Sequence, residues 1–370
     1  MLSSQDLVYR VAMASLHGMT PTLVQSFMAR LTGLEEFFTL SRGQLTARMG
    51  FDSRIFDEGV RRKALEEAKA ETAFIVNHSV NAIYFTDPEY PRRLLECDDA
   101  PVMIYALGTT DLNSAHFISI VGTRHATVYG SGFVKDVVKD LHDTLAEPLV
   151  VVSGLAYGID IAAHQAALDC GVPTVGVLAH GLNTIYPATH RNTAVRMIQD
   201  GGMLMTDYRS LDAIHKGNFL ARNRIVAGLC DCLLVAESDS RGGAMVTARL
   251  AGAYSRDVFA LPGRTSDRYS RGCNDLISRH AALLVTSGAD IAEAMHWATR
   301  EPEGTQTELF PELSPDQEAI VALITQKGEA TLSEMLANID ITTPRLMGTL
   351  IDLEIKNIIL SLPGARYRLA

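Results

Sequence analysis

Through the middle of this chain, apolar residues come as short consecutive runs separated by stretches of helical spacing, and the alternation repeats. The runs over 117–121, 149–152, 174–178, 203–206, 232–235 and 258–260 are mostly apolar, interrupted only by Ser119, Thr174, Gly176 and Thr206, as suits strands buried on both faces of a parallel sheet. Between and after them, helices are predicted over 130–145, 160–170, 190–200, 218–229 and 247–254, and a last strand over 282–285 precedes a helix over 289–298. Repeated strand–helix units of this length predict an α/β fold, a Rossmann-like, doubly wound, mainly parallel sheet covered on both faces.

The flanks have other periods. From Ser4 to Val80 the pattern is helical throughout, with Leu7, Val8, Val11, Ala12 and Leu16 on one face and Leu23, Val24, Phe27, Met28 and Leu31 on the next. Between these two helices, His17-Gly18-Met19-Thr20-Pro21 offers an N-cap threonine and a proline at the first helical position. This turn is similar to the hairpin of helix-hairpin-helix modules, which serves either a phosphate backbone or packing alone. Asp87-Pro88-Glu89-Tyr90-Pro91 is a stiff connector marking a boundary. Beyond the sheet, residues 299–308 have neither period nor apolar mass and read as a linker. Ser314, Thr331 and Thr342 then open three helices, and two short strands around Pro363-Gly364 close a winged-helix-like outline. Its candidate recognition helix sets Arg345 and Lys356 against Asp352 and Glu354, a balance that favours protein contact over DNA reading. The expected domains are a helical domain (1–85), the Rossmann-like domain (86–298), a linker (299–312) and the winged-helix-like domain (313–370).

Composition narrows the class. The 370 residues are 47% hydrophobic and 21% charged, with no long apolar run and no basic leader ahead of one, so a cytoplasmic protein without membrane attachment is expected. Five cysteines lack metal-type spacing, and Cys230 and Cys232 read as core residues. A net charge of −10 argues against adhesion to nucleic acid by the whole surface but leaves room for a local basic patch. Between Thr206 and His280 there are 11 Lys/Arg against 8 Asp/Glu, whereas from Glu301 onward there are 5 against 11.

Candidate chemistry gathers at the ends of the strands. Val150-Val151-Val152-Ser153-Gly154 followed by Gly158, with Asp160 as an expected N-cap, forms a loop whose bare N–H groups would lie beside a helix N-terminus and suit a phosphate. Arg124, after Val121-Gly122-Thr123, lies where open α/β sheets bind ligands; it serves a phosphate or pairs with an acid on the sheet rim. Lys216, Phe219, Arg222 and Arg224 interleave cations with an aromatic ring, as a single-stranded nucleic acid requires, although Arg222 or Arg224 could instead be a buried ion-pair partner. Asp160 and His164 share a helix face without a third metal ligand, so capping and a core hydrogen bond are their expected roles. Neither dinucleotide nor triphosphate glycine motifs occur, and no catalytic triad can be assembled from the scattered histidines.

Taken in order, Val121-Gly122-Thr123-Arg124, the stretch from Ser153-Gly154 to His164, Gly181 to Pro187, Arg222-Asn223-Arg224, Gly243 to Ala248 and Leu261-Pro262-Gly263 resemble the bacterial DNA-processing protein A (DprA, or Smf) family. That resemblance implies a non-enzymatic recombination mediator that needs no cofactor or metal, binds single-stranded DNA during natural transformation, displaces single-strand-binding protein and loads RecA. It also implies a homodimer through the Rossmann-like domain. The DNA-binding residues it implies are Gly122, Thr123, Arg124, Ser153, Gly154, Lys216 and Phe219; Arg222, Arg224, Gly242 and Gly243 join them from the basic span and the glycine loop. The chain departs from the family at Leu220-Ala221, where a proline is common, and at Ala244, where a serine is common. Two other classes compete. One is a Rossmann-type phosphoribohydrolase, whose glutamate-bearing glycine loop is missing from Arg241 to Arg249; the other is a nucleotide-binding scaffold without DNA.

Overall fold

The computed structural model describes residues 4–114, 116–300, 313–356, 358–362 and 364–369. The expected linker at 301–312 and Pro363 of the closing turn lie outside them. The chain divides into two compact units, Met1–Arg300 and Glu301–Ala370.

In the first unit nine strands form one sheet: β1 (Asn81–Tyr84), β2 (Met103–Gly108), β3 (His116–Val121), β4 (Leu149–Ser153), β5 (Thr174–Val177), β6 (Met203–Thr206), β7 (Cys232–Val235), β8 (Asp257–Ala260) and β9 (Leu283–Leu284). Their spatial order is β1-β2-β6-β5-β4-β3-β7-β8-β9. From β6 to β9 all neighbours are parallel. The chain therefore starts the parallel sheet at β3, winds outward to β6, and returns beside β3 as β7, which makes the β3–β7 junction the switch point of the fold.

Alternation along β3 explains the two layers. Ile118 and Ile120 pack with Val134, Val137, Val138 and Leu141 of the helix Val128–Thr144 and with Ala163 and Ala167 of the helix Ile159–Asp169. Phe117 and Val121 face the other way, into the cluster holding Ile225 and Val226 of the helix Lys216–Gly228 and Ala248 and Ala251 of the helix Gly243–Ala253. Both layers are buried and apolar, so each helix is fixed by burial of one stripe. Cys230 and Cys232 are buried free thiols.

The two antiparallel strands β1 and β2 were not expected from the sequence. Each is short, and their strand character depends on pairing, Asn81 opposite Ala106 and Tyr105 opposite Thr206. Through β1 the helical front joins the sheet, so the boundary expected at 85–86 falls inside a single compact unit. Buried Glu71, on the helix Glu58–Asn77, accepts hydrogen bonds from the Ser210 N–H at 3.0 Å and the Ser210 hydroxyl at 2.6 Å, tying the front to the loop after β6. In the front itself, Thr20 caps the helix Pro21–Met28 as expected, its hydroxyl accepting from the Leu23 N–H at 3.3 Å.

The second unit holds the helices Pro315–Lys327, Leu332–Asn338 and Thr343–Ile355 and a sheet ordered β10 (Ala330–Thr331), β12 (Arg366–Leu369), β11 (Ile359–Leu362). Ser314 and Thr331 each complete a capping box, and Ile320, Ile324, Met335, Leu346, Leu350 and Leu353 form its core. Arg345, on the candidate recognition helix, is held by Asp316 at 2.5 Å. Among the described residues no helix is long and apolar enough to cross a membrane.

Candidate nucleic-acid interface

At the carboxyl ends of β3 and β7 lies a cavity of about 470 Å³. Its first wall is the loop after β3. A Cβ on Gly122 would come within 2.4 Å of Ile159 Cγ1 and 2.8 Å of the Glu237 carbonyl, so only glycine lets the strands close there. Thr123 is fastened on both sides of its backbone: its N–H donates to the Glu237 carbonyl at 2.7 Å, and its carbonyl accepts from the Ile159 N–H at 3.1 Å. Arg124, next in line, is directed outward and exposed, with no carboxylate in ion-pair range among the described residues.

The opposite wall is the first two turns of the helix Lys216–Gly228. Lys216, Phe219 and Asn223 fall at i, i+3 and i+7 and share the cavity face. The Arg124 guanidinium carbon lies 5.6 Å from the Phe219 ring centroid, within cation–π range. Tyr186 meets the same ring edge-on, with centroids 5.7 Å apart and planes at 65°. Lys216 also lacks a carboxylate partner among the described residues. The result is an aromatic platform flanked by two uncommitted cations.

Two helix N-termini open near this space without a side-chain cap, those beginning at Lys216 and Gly243; at a third, the Ile159 N–H is already given to the Thr123 carbonyl. The first N–H groups and positive dipole ends of the two favour an anion. Gly242 and Gly243 line the cavity, and a Cβ on Gly243 would meet nothing within 4 Å. Ala244 follows them, buried at 5% exposure in the helix's first turn.

Several expected site residues are placed elsewhere. Ser153 is fully buried, its hydroxyl donating to the Ile120 carbonyl at 2.6 Å; it joins β4 to β3 and does not reach the cavity. Gly154 does line it, and a Cβ there would strike Arg222 Nη1 at 2.2 Å. Arg222 borders the cavity but is buried; Nη1 donates to the Gly154 carbonyl at 2.7 Å and also to Val177 O, so it ties the ends of β4 and β5. Arg224 points away, pairing with Asp207 and donating to the Asp99 carbonyl. It lines a different cavity, beside His17, Gly18 and Met19 of the front hairpin. Arg222, at i+3 from Phe219, continues the same face inward to the sheet, whereas Arg224 lies about 140° round the helix from Phe219 and cannot share it.

Asp160 is not the N-cap. Gly158 takes that place with φ +77, where a Cβ would meet the Thr123 carbonyl at 2.2 Å, and the Asp160 carboxylate accepts from the Ala156 N–H at 3.4 Å. Burial pushes the Asp160 carboxyl up, and the charge of Arg222 partly opposes this. His164 bonds Thr174 Oγ1 at 2.7 Å, and burial pushes its imidazole down to about 3. It is a core residue, and no cluster that could hold a metal occurs among the described residues. Sequence reasoning missed Asn223 and Tyr186 as lining residues. The i+7 spacing from Lys216 to Asn223 was a usable signal, whereas nothing local marked Tyr186.

The family described as DNA recombination-mediator protein A matches residues 81–296, which is the whole sheet with every loop of the cavity. The chain belongs to this family. The DNA processing protein DprA of Streptococcus pneumoniae is 40% identical over 205 residues, covering 55% of this chain and 71% of that protein. Protein Smf of Escherichia coli is 33% identical over 292 residues, covering 76% of this chain and 75% of that protein. Among solved structures, the pneumococcal protein matches with a TM-score of 0.64 at 31% identity, covering 79% of this chain and 98% of that one. DNA processing protein A from Helicobacter pylori, whose structure describes its single-stranded DNA binding mode, matches with a TM-score of 0.52 at 28% identity, covering 59% of this chain and 95% of that one.

Proposed function

We propose that this member of the DNA recombination-mediator family binds single-stranded DNA in the cavity at the β3–β7 junction, protects incoming strands and loads RecA in place of single-strand-binding protein. The observation that carries the reading is the platform of Phe219 between Arg124 and Lys216. A base stacks on the ring while neighbouring phosphates meet the cations and the uncapped helix N-termini. The principal contacts are cations, backbone loops and one ring face rather than a helix shaped for the major groove, so binding is independent of sequence. Gly122, Thr123, Gly154, Gly242 and Gly243 shape the backbone around the strand; Arg222 supports it from beneath.

The function is binding without catalysis or cofactor, in the cytoplasm. Of the carboxylates lining the cavity, Asp160 is buried and Asp239 is held by Arg268 at 2.7 Å, which argues against a phosphoribohydrolase. The protein acts as a homodimer through the Rossmann-like domain, a reading supported by edge strand β9, whose Leu283 and Leu284 are about half exposed. The C-terminal unit, winged-helix-like in its order of elements, serves protein contacts.

Fluorescence anisotropy with single-stranded and duplex oligonucleotides of equal length, across a salt series, tests this. Single strands bind more tightly, with affinity falling by a log–log slope of about 0.7 per phosphate neutralised. Equal affinity for duplex overturns the reading.

A further inference from the structure

A second cavity, of about 490 Å³, adjoins the first at Gly242, which lines both. The two flank the same helix start. Gly243, Ala244 and Thr247 border the first; Gly242, Met245, Val246 and Arg249, at i, i+3, i+4 and i+7, border the second. Arg241 and Arg279 complete the rim with Arg249, and Asp275 is its one lining acid. All three arginines are exposed, and among the described residues none has an ion-pair partner. Met245 and Val246 give the floor apolar surface. In a chain of net charge −10, three unpaired arginines around an apolar floor form a concentrated positive site.

We propose that this groove is a second subsite for the same single strand: on leaving the Phe219 platform the strand passes Gly242 and lays its next phosphates on Arg241, Arg249 and Arg279, with bases over Met245 and Val246. The inference rests on the first cavity holding single-stranded DNA. The other neighbouring cavity, lined by Tyr129, Arg264, Arg268 and Tyr269, is the poorer exit. Its Arg268 is already bound to Asp239, and Glu237 and Asp267 also face it, so a phosphate entering there meets carboxylates. The second groove offers guanidinium groups that lose no existing partner when a phosphate arrives, and each releases counterions from the strand.

The proposal predicts that strand length separates the two subsites. Oligothymidylates of about 6 and about 20 nucleotides lie near the lower end and beyond the upper end of the usual span of a single-strand site, about 4–16 nucleotides, and anisotropy titrations of the full chain across a salt series read both. R241Q/R249Q/R279Q should bind the short strand as wild type does. It should bind the long strand about tenfold more weakly, with a salt slope smaller by about 2, the sum of three contacts at ~0.7 each. R241K/R249K/R279K keeps the charges and should restore the slope, which separates lost charge from a disturbed fold. An unchanged long-strand affinity and slope in the glutamine variant overturns the proposal, as does an equal loss on both lengths, which would make the groove part of the first cavity. Arg124→Ala distinguishes failure of the parent reading: it should weaken both lengths, and if it weakens neither, the first cavity is not the DNA site and both readings fall.

Discussion

Arginine is used in opposite ways at two places in the first unit. At the junction of the helical front, β2 and the loop after β6, every named arginine is committed. Arg209 bridges Glu67 and Asp212, each at 2.8 Å, Arg224 holds Asp207, and Arg10 holds Asp87 at 2.7 Å. Around the carboxyl ends of β3 and β7, Arg124, Lys216, Arg241, Arg249 and Arg279 are exposed and lack carboxylate partners among the described residues. The first group is partly buried, where a charge without a partner is costly. The second stays hydrated and needs none, which leaves it available to a polyanion. Charge count alone does not reveal a binding face; the fraction of cations already neutralised does.

Arg222 sits between these groups, buried yet bordering the cavity, and gives the sharpest way to break the contrast. Arg222→Met should cost about 3–5 kcal/mol of stability, because it strands the Gly154 and Val177 carbonyls and leaves buried Asp160 without its nearby positive charge. Urea unfolding measures this, and a loss under about 1 kcal/mol would place Arg222 with the ligand-facing cations instead. The neighbouring His164 supplies the next effect. Burial first, then the charge of Arg222, pushes its imidazole down to about 3 from 6.5, so between those values the unfolded chain binds more protons than the folded one. Stability is therefore full above pH 6.5 and falls as the pH drops through that window. Between pH 7 and 5 the wild type should lose about 2 kcal/mol more than His164→Gln; parallel losses in the two proteins would contradict it.

Smaller effects separate stacking from charge within the cavity. Phe219→Ala should reduce single-strand affinity by about 1–3 kcal/mol with an unchanged salt slope, since a base resting on a ring releases no counterion. Arg124→Ala and Lys216→Ala should each lower the slope by roughly 0.7. Melting temperatures near wild type confirm that these three remain folded. Normal binding and an unaltered slope in both cation variants would remove the distinction between free and committed cations at this site.

How much of this was legible beforehand differs by element. Met203–Thr206 and Cys232–Val235 were readable to the residue, because short apolar runs that begin directly after Gly202 and Asp231 leave a doubly buried strand little freedom of register. The helix Arg271–Ser278 escaped notice beside the Leu261-Pro262-Gly263 loop, and β1 escaped because four residues of mixed character become a strand only when a partner supplies their hydrogen bonds; β2 was missed although Met103 to Leu107 is a continuous apolar run. In the cavity, Gly154 and Arg124 were marked by their place after a strand and Lys216 with Phe219 by the short basic span that holds them, while Gly122 and Thr123 were expected from the family resemblance.

By itself, then, the sequence determined the order of strands and helices, the glycine turns at the strand ends and the identity of the cations near them, since all of these follow from local periodicity and backbone freedom. Only the tertiary structure decided which cations remain free. Arg222 meets Gly154 and Val177, and Arg224 meets Asp99 and Asp207. These partners are distant in sequence from the helix that carries both arginines, except Asp207, which reaches it only through the loop after β6. The rotation of that helix against the sheet places Lys216 and Phe219 at the cavity while burying Arg222, and the energy that sets this rotation is the burial of Ile225 and Val226 in the cluster that also holds Phe117 and Val121 of β3.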